Sequence, residues 1–286
     1  MSKCLIVYFS QGGTTARTAR SIAAGLRTAG YQVDLHDLTD NPPPALDGYD
    51  LLGIGMPVYY YRPPFTMTDY VQSLPHLAGL PAFTFLLYGT FRGDAGTAVR
   101  RLLARKGARE VGYFTCRGDD CFLGYLKQGY FFSPDHPTAE ELAGAEVFGQ
   151  EVAARAVGQE VARPEDDPPP GAIYRLERFA LNRSFVTQVY SRLFRVNKDK
   201  CTACGLCIQD CPTGNITENQ EGQPDWGRDC LLCLYCEMHC PEEAITSPAS
   251  WPLFVPFYKY NVGHASRDLS LDYVRVKHSQ GRIQRL

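Results

Sequence analysis

Eight of the chain's eleven cysteines fall into two matching runs. The first run, CTACGLCIQDCP, begins at Cys201, and the second, CLLCLYCEMHCP, begins at Cys230. Both follow the pattern C-x2-C-x2-C-x3-C-P, whose short spacings let one tight loop supply three soft thiolates. Iron–sulfur clusters need such ligands, whereas structural zinc sites use cysteines as two spaced pairs. The spacing therefore favours iron–sulfur chemistry over zinc.

This block resembles the bacterial-type two-cluster ferredoxins over about 50 residues. The stretches PTGNIT at 212–217 and PEEAIT at 241–246 are similar to the segment that follows each cysteine run in that family. In such ferredoxins the fourth cysteine of each run serves the other cluster. The resemblance implies two 4Fe–4S clusters in a pseudo-two-fold, α+β ferredoxin-like domain. The implied ligand sets are Cys201, Cys204, Cys207 and Cys240 for one cluster, and Cys230, Cys233, Cys236 and Cys211 for the other.

A loop of small residues, SQGGTT at 10–15, follows the apolar run KCLIVYF. A strand, such a loop and a helix together make a phosphate site, because backbone N–H groups and hydroxyls face the anion. The loop has neither a G-K-S/T sequence nor a G-x-G-x-x-G pattern, and it contains no lysine or arginine. Neutral donors favour the phosphate of a mononucleotide over a triphosphate, with a plain turn as the alternative.

The same loop is similar to the phosphate loop of flavodoxins, S/T-x-T/G-G-x-T, with Gly12 at a position where many members have threonine. The resemblance implies FMN, with two later loops, GMPVYYYRPP at 55–64 and YGTFRGDAG at 88–96, beside the flavin ring. Three consecutive tyrosines cannot all face a flavin, so packing within the loop is the alternative for each. The implied cofactor contacts are Ser10, Gln11, Gly12, Gly13, Thr14 and Thr15 for the phosphate, and Pro57, Val58, Tyr59, Tyr60, Tyr88, Gly89, Thr90, Phe91 and Gly93 for the ring.

Alternating strands and helices are predicted to position these loops. Strands are expected at 3–10, 31–38, 50–58, 81–89 and 110–116, and helices at 14–30, 64–75, 94–107 and 138–157. Asp94 is expected to cap the third helix and Gly107 to end it. Strands alternating with helices predict an α/β fold with a flavodoxin-like, five-stranded, doubly wound parallel sheet.

Composition then changes along the chain. The predicted organisation is a flavodoxin-like domain at 1–157, a proline-rich linker and amphipathic helix at 158–196, a ferredoxin-like domain at 197–248 and an extension at 249–286. The helix is expected at 172–196, and its arginines suit a membrane surface, an acidic redox partner or a strut between domains.

Charge and hydropathy exclude several classes of function. A net charge of -2 gives no indication of nucleic-acid binding. The sequence contains no run of about 18 apolar residues, so no membrane span is expected. The stretch CLIVYF is too short for a signal peptide, so a cytoplasmic protein with reduced thiols is expected.

Cysteines outside the two runs have several possible roles. Cys116 and Cys121 suit a redox pair, a metal site, a thiol at the flavin edge or two plain reduced cysteines. Cys4 begins the first strand and is expected in the core.

Together these features predict an electron-transfer protein in which two 4Fe–4S clusters and FMN interconvert one-electron and two-electron steps. A low-potential redox protein is expected as donor or acceptor, and a homodimer is compatible with the linker. The alternative is a cluster-fed FMN-dependent reductase of an organic substrate, with Tyr125, Tyr130 and Phe131 lining its pocket. A sensor with structural clusters is a third interpretation, which the flavin-type loop disfavours. No second nucleotide fingerprint is found, so direct oxidation of NAD(P)H is not expected.

Overall fold

The structure is a computed structural model that describes residues 1–40, 42–158 and 162–286. Over these ranges the chain divides into two units. The first unit comprises Met1–Asp119 and Asp135–Arg178, and the second comprises Asp120–Pro134 and Phe179–Leu286. The segment 120–134 lies within the bounds predicted for the first domain, but it belongs to the second unit.

The elements within the described ranges are as follows. The strands are β1 (Lys3–Tyr8), β2 (Gln32–Asp37), β3 (Leu51–Pro57), β4 (Pro81–Tyr88), β5 (Arg109–Arg117), β6 (Tyr130–Phe132), β7 (Arg195–Val196), β8 (Ile216–Glu218), β9 (Pro224–Trp226), β10 (Ile245–Thr246), β11 (Tyr273–Ser279) and β12 (Arg282–Arg285). The helices are α1 (Thr14–Thr28), α2 (Phe65–Ser73), α3 (Ala95–Arg105), α4 (Leu123–Leu126), α5 (Ala139–Ala156), α6 (Ala172–Ala180), α7 (Arg183–Gln188), α8 (Leu206–Gln209), α9 (Tyr235–Met238) and α10 (Val255–Ala265).

The first unit is built on a parallel sheet. In the part of the chain that the structure describes, five strands form it in the order β2-β1-β3-β4-β5, and each pairing is parallel. Ile6 in β1 lies opposite Leu35 on one side and Gly53 on the other. The apolar runs of β1, β3 and β4 are buried because helices cover both faces of a parallel sheet. The predicted five-stranded, doubly wound sheet is confirmed, and its switch point lies between β1 and β3.

Helices α1 and α5 pack together backbone to backbone. A Cβ atom at Gly25 would collide with the carbonyl oxygen of Glu146, and one at Gly149 with that of Ile22. Glycine at these two positions therefore permits the close approach of α1 and α5.

Helix α3 ends as the sequence predicts, but its first residue is not capped as predicted. Gly107 has a φ of 82° and follows the helix as expected. Asp94 occupies the N-cap position, but its side chain makes no capping hydrogen bond. Its carboxylate instead pairs with the guanidinium of Arg178, so the predicted cap is wrong.

The single helix predicted at 172–196 is also wrong. The segment forms α6, then α7, then a 3-10 helix at Tyr190–Leu193. Asn182 has an extended conformation, and its side-chain oxygen accepts a hydrogen bond from the N–H of Phe185 at 3.1 Å. An asparagine that caps a new helix ends the previous one, and apolar periodicity does not reveal this.

The predicted linker is bound to the first unit over its described part. Residues 159–161 lie outside the described residues. Beyond them, the guanidinium of Arg100 donates to the carbonyl oxygens of Pro164 at 2.6 Å and Glu165 at 2.8 Å. Asp167 is buried in the same unit. This stretch is therefore a packed segment of the first unit.

The second unit repeats one structural pattern around its cysteines. The first half runs β7, cysteine loop, α8 and β8, and the second half runs β9, cysteine loop, α9 and β10. The first strand of each half pairs with the last strand of the other, as β7 with β10 and β9 with β8. The repeated sequence thus folds into the expected pseudo-two-fold α+β arrangement.

Segment 120–134 and the C-terminal extension complete this unit. Strand β6 pairs antiparallel with β11, which places Phe132 opposite Tyr273 and Tyr130 opposite Arg275. Tyr125 and Phe131 are buried in the second unit, and the Tyr125 ring packs edge-on against Phe132 at 5.5 Å. These aromatic side chains pack within the second unit, where β6 pairs with β11 and α4 precedes β6.

Candidate iron–sulfur and flavin sites

The first candidate site is the loop between β1 and α1. Gly13 occupies the N-cap position of α1 with a φ of 80°. The side-chain oxygen of Ser10 accepts a hydrogen bond from the N–H of Ala16 at 3.1 Å, which fixes the loop. A Cβ atom at Gly12 or Gly13 would have no heavy atom of the described residues within 4 Å. An anion can therefore approach the loop backbone and the first N–H groups of α1.

Electrostatics at this loop also favour an anion. The first turn of α1, all of it described, contains no acidic residue. The positive end of the helix dipole is thus not neutralised by a carboxylate of that turn. The loop fits a phosphate group, and it would hold that group mainly by neutral N–H and hydroxyl donors.

The loop after β3 turns sharply at its tyrosines. Tyr59 and Arg62 exchange backbone hydrogen bonds of 2.9 and 3.1 Å, and Tyr60 and Tyr61 between them have φ values of 50° and 63°. The hydroxyl of Tyr59 donates to the side-chain oxygen of Gln11 at 2.6 Å. This bond connects the second loop to the phosphate loop. Tyr60 is partly exposed, whereas Tyr61, whose side chain was not predicted as a contact, is buried.

The loop after β4 meets the loop after β3. Gly93 has a φ of 58°, and a Cβ atom there would stand 2.9 Å from the carbonyl oxygen of Tyr61. The ring centroids of Phe91 and Tyr61 are 6.0 Å apart. Arg117 donates to the carbonyl oxygen of Gly89 at 3.0 Å and covers the ring of Tyr88 at 5.3 Å. Glycine at position 93 therefore permits the two candidate ring loops to touch.

Residues after β5 reach the same edge of the sheet. The N–H of Gly118 donates to the carbonyl oxygen of Tyr88 at 3.0 Å, and a Cβ atom at Gly118 would lie 3.4 Å from Oγ1 of Thr14. Burial raises the pKa of Asp119 beside them, and the nearby carboxylate of Asp135 adds to the rise. The structure thus brings together the predicted phosphate, 57–60 and 88–93 loops, with 117–119 as a fourth loop.

One predicted cysteine set lines a cavity in the second unit. Cys201, Cys204, Cys207 and Cys240 all contribute to its wall, so a cysteine of the second run joins three of the first. Burial raises the pKa of the Cys207 thiol to about 11, and the nearby sulfurs of Cys204, Cys240 and Cys201 add to the rise. In the described chain, no three His, Cys, Asp or Glu side chains are gathered for a single metal ion.

The second predicted set is also close together. Burial raises the pKa of the Cys230 thiol to about 12, with further contributions from Cys233 and Cys211. Burial likewise raises the pKa of Cys236 well above its usual value, and Cys233, Cys230 and Cys211 add to this. The Cys230 and Cys236 thiols therefore resist ionisation, and iron coordination would stabilise them as thiolates.

The two cysteine loops share their backbone conformation. Ala203 and Leu232, which stand two residues after the first cysteine of each run, have φ values of 53° and 62°. Gly205 and Leu234, two residues further on, have φ values of 75° and 58°. Left-handed residues in such loops turn backbone N–H groups toward one side, an arrangement that binds anions. Both loops therefore fit an anionic thiolate-bound cluster.

Backbone donors also reach the cysteine sulfurs. The N–H of Leu232 donates to Sγ of Cys230 at 3.3 Å, and the N–H of Ala244 donates to Sγ of Cys240 at 3.3 Å. Sequence spacing did not identify these residues, because any amino acid except proline supplies such a donor.

The remaining three cysteines are divided between the two units. Cys4 lies in the core of the first unit, as expected. Cys116 is buried there, with its Sγ atom 3.8 Å from Oγ1 of Thr18, and burial raises the pKa of its thiol to about 12. Cys121 belongs to the second unit. Cys116 is thus a neutral thiol in an apolar core, because burial outweighs the hydrogen bond with Thr18 that favours the thiolate.

Family models match two parts of the chain. The model described as a flavodoxin domain matches residues 5–124, and the model described as a 4Fe-4S binding domain matches residues 194–217. The first match supports FMN as a cofactor, and the second supports a 4Fe–4S cluster. Among the described residues no helix has the length and apolar character needed to cross a membrane.

Two curated proteins are similar to stretches of the chain. An NAD(P)H dehydrogenase (quinone) of Acidovorax ebreus is 26% identical over 180 residues, which cover 56% of this chain and 86% of that protein. Pyruvate synthase subunit PorD of Methanocaldococcus jannaschii is 40% identical over 58 residues, which cover 19% of this chain and 67% of that protein.

Solved flavodoxin structures match about half of the chain. A flavodoxin from the domain Archaea is 19% identical, with a TM-score of 0.42 over 54% of this chain and 99% of that one. Oxidised flavodoxin 1 from Bacillus cereus is 21% identical, with a TM-score of 0.43 over 54% of this chain and 98% of that one. The order of the strands is the one expected for the flavodoxin domain that the first family model matches. The chain is therefore a fusion of a flavodoxin domain with a 4Fe–4S domain of the ferredoxin type.

Proposed function

We propose that the chain is an electron-transfer iron–sulfur flavoprotein that passes electrons between two 4Fe–4S clusters and one FMN. The observation that carries the proposal is the cavity whose wall combines three cysteines of the first run with Cys240 of the second. A two-cluster ferredoxin needs this exchange of ligands, because each fourth cysteine serves the opposite cluster. The same chain contains a flavodoxin domain, which supplies the second redox partner.

Each cluster would be held by the cysteines that lie together. The proposed ligands are Cys201, Cys204, Cys207 and Cys240 for one cluster and Cys230, Cys233, Cys236 and Cys211 for the other. Their support is the cavity wall that the first set shares and the nearness of the second set, whose sulfurs add to the raised pKa values of Cys230 and Cys236. The N–H groups of Leu232 and Ala244 would stabilise negative charge on the cluster sulfurs, which raises the reduction potential.

FMN would bind at the edge of the sheet where the four loops meet. We propose that residues 10–15 hold its phosphate and that residues 57–60 and 88–93 contact its ring. The support is the open space above Gly12 and Gly13 and the bond from Tyr59 to Gln11. Tyr59 would thereby set the distance between the phosphate loop and the ring loops.

Bound clusters exchange single electrons, whereas a flavin takes up one or two, so the pair interconverts the two kinds of step. The chain's own contribution is to hold both cofactors on one molecule. A tether replaces a diffusional encounter with a high effective concentration. We propose a low-potential redox protein as external donor or acceptor, and the relative that is a pyruvate synthase subunit supports a protein partner.

A second candidate is a cluster-fed, FMN-dependent reductase of an organic substrate. The relative named NAD(P)H dehydrogenase (quinone) favours it, with a quinone as the substrate class. Three aromatic residues were expected to line its pocket. Tyr125 and Phe131 are buried in the second unit, and the ring of Tyr130 stacks on Phe132 there with centroids 5.9 Å apart, so the three give this candidate no support.

Anaerobic analysis of the full chain tests both candidates. Electron transfer predicts about eight irons and one FMN per chain, with spectra that show clusters and flavin reduced together by dithionite. Zinc in place of iron, or no flavin after reconstitution, would overturn the proposal. Supplying electrons to the clusters from a reduced ferredoxin, with benzoquinone as acceptor, then separates the candidates. Only the reductase predicts a rate that saturates with quinone concentration, because only the reductase binds the quinone as a substrate.

A further inference from the structure

The stretch 162–178 follows the helices and strands of the flavodoxin fold, yet it belongs to the first unit. It also lies beyond residue 124, where the match to the flavodoxin domain ends. A flavodoxin domain alone therefore does not account for this stretch, which we call the strap (residues 162–178).

A buried carboxylate fixes the middle of the strap. Oδ2 of Asp167 accepts hydrogen bonds from the N–H of Thr97 at 3.0 Å and from the hydroxyl of Tyr113 at 2.8 Å. The N–H of Asp167 donates to Oγ1 of Thr97 at 2.6 Å. Burial raises the pKa of Tyr113, and Asp167 adds to the rise, so the phenol stays protonated and can donate. The strap is thus bonded to the first turn of α3 and to β5.

The same carboxylate holds a candidate ring loop. Oδ1 of Asp167 lies 3.1 Å from Nε of Arg92, and the Asp167 side chain is only 1% exposed. Arg92 belongs to the 88–93 loop, and its guanidinium lies 5.9 Å from the ring centroid of Tyr88. A charge pair with one buried member is costly to break, because the remaining charge loses its partner. Asp167 therefore restrains the backbone that carries Tyr88 and Phe91.

Helix α6, at the C-terminal end of the strap, contacts both candidate ring loops. The ring of Tyr174 stacks on Tyr61 with centroids 4.8 Å apart and lies 5.2 Å from Phe91. Arg178 donates to the carbonyl oxygen of Tyr61 at 3.4 Å and pairs with Asp94. One aromatic side chain of the strap thus contacts the loop after β3 and the loop after β4 together.

We propose that the strap positions the flavin ring loops, with Asp167 and Tyr174 as positioning residues for FMN. The inference rests on the proposed function, since it assumes that these loops hold FMN. It adds that FMN affinity depends on residues outside the flavodoxin domain. Removing either anchor frees the ring loops, while the phosphate loop at 10–15 keeps its own hydrogen bonds.

Two pairs of matched variants test the strap in the full chain. Asp167→Asn is compared with Asp166→Asn, because the neighbouring carboxylate is more exposed and forms ion pairs with Arg100, Arg101 and Arg163. Tyr174→Ala is compared with Tyr174→Phe, which keeps the stacked ring. FMN dissociation constants come from fluorescence titration of the apoprotein, and the visible spectrum of bound flavin reports its environment.

Asp167→Asn and Tyr174→Ala are expected to weaken FMN binding by about tenfold or more and to alter the flavin spectrum. Asp166→Asn and Tyr174→Phe are expected to stay within about twofold of the wild type. Hydrogen exchange of the apoprotein should rise at residues 88–93 in the two weakened variants and stay unchanged at residues 10–15.

Wild-type affinity and spectrum in Tyr174→Ala would overturn the inference even if Asp167→Asn failed to fold. Such a result leaves the proposed function standing, because the wild type still binds FMN. A wild-type chain that binds no FMN overturns the proposed function and the inference with it. The two failures are therefore distinguished by the wild-type titration.

Discussion

Removing cysteines two at a time tests the exchange of ligands between the runs. If each fourth cysteine serves the opposite cluster, Cys211 and Cys230 belong to one set, and Cys207 belongs to the other. The structure supports this division, because Cys211 acts on the pKa of Cys230, whereas Cys201, Cys204 and Cys240 act on that of Cys207. A double variant within one set damages one cluster, and a double variant across the sets damages both.

The expected iron contents follow from four irons in each cluster. The wild type is expected to contain about eight irons per chain, and Cys211→Ala about four. Combining Cys211→Ala with Cys230→Ala should leave about four, because the other set remains complete. Combining Cys211→Ala with Cys207→Ala should leave almost none. Cys116→Ala, whose thiol lies in the core of the first unit, is the control and should retain about eight irons.

Iron and sulfide are measured on protein purified without oxygen, and EPR of the reduced protein counts the remaining clusters. Coupling between the two reduced clusters should disappear in the Cys211 and Cys230 double variant, while the signal of one cluster persists. The reverse pattern, with about four irons in the Cys211 and Cys207 double variant and none in the other, would refute the exchange. Each run would then hold its own cluster.

Three further predictions concern the first unit. Gly13→Ala should lower the stability of the apoprotein by about 1–2 kcal/mol, because Gly13 has a φ of 80° that disfavours a side chain. Gly12→Ala should leave stability unchanged but weaken FMN binding, because its new methyl group would stand where the phosphate approaches. Gly149→Ala should destabilise the protein in urea by about 1–3 kcal/mol by forcing α1 and α5 apart, while Gly144→Ala, in open space on the same helix, should stabilise it by about 0.5–1 kcal/mol. Burial raises the pKa of the Cys116 thiol to about 12, so at pH 8 the thiol stays protonated and iodoacetamide should modify it only after unfolding.

Each of these predictions has a clear contradicting result. Equal FMN affinity in Gly12→Ala and the wild type would show that no phosphate approaches that backbone. Equal urea midpoints for the Gly149 and Gly144 variants would contradict the close approach of the two helices. Rapid labelling of Cys116 in the native protein, mapped by peptide mass, would contradict its burial.

The sheet and the cysteine sets could be predicted because their signals are local. Apolar runs such as KCLIVYF predict buried strands. The observed strands β1 to β5 begin and end within two residues of the predicted bounds. The repeated C-x2-C-x2-C spacing fits the resemblance to two-cluster ferredoxins, and the cavity gathers the four cysteines that this resemblance implies. Residue type and spacing carry that information without reference to distant partners.

The strap and the segment 120–134 could not be predicted because their partners are distant in sequence. Asp167 lies in a proline-rich stretch typical of a linker, and only the positions of Thr97, Tyr113 and Arg92 make it a buried anchor. The apolar residues of β6 suit several environments, and the pairing with β11 decides which one they occupy. Tyr61 was missed because sequence does not show which of three consecutive tyrosines turns inward.

The pairing of β6 with β11 also sets an order of events during translation. A ribosome makes β6 long before β11, so Phe131 and Phe132 emerge without the strand that covers them in the native structure. Domains usually fold as units in the order of their synthesis. Here the segment 120–134 lies in sequence between the two parts of the first unit, but it cannot pair until β11 of the second unit has been synthesised. The nascent chain therefore carries an apolar strand with an unpaired edge, and it depends on continued elongation or on a chaperone until β11 arrives.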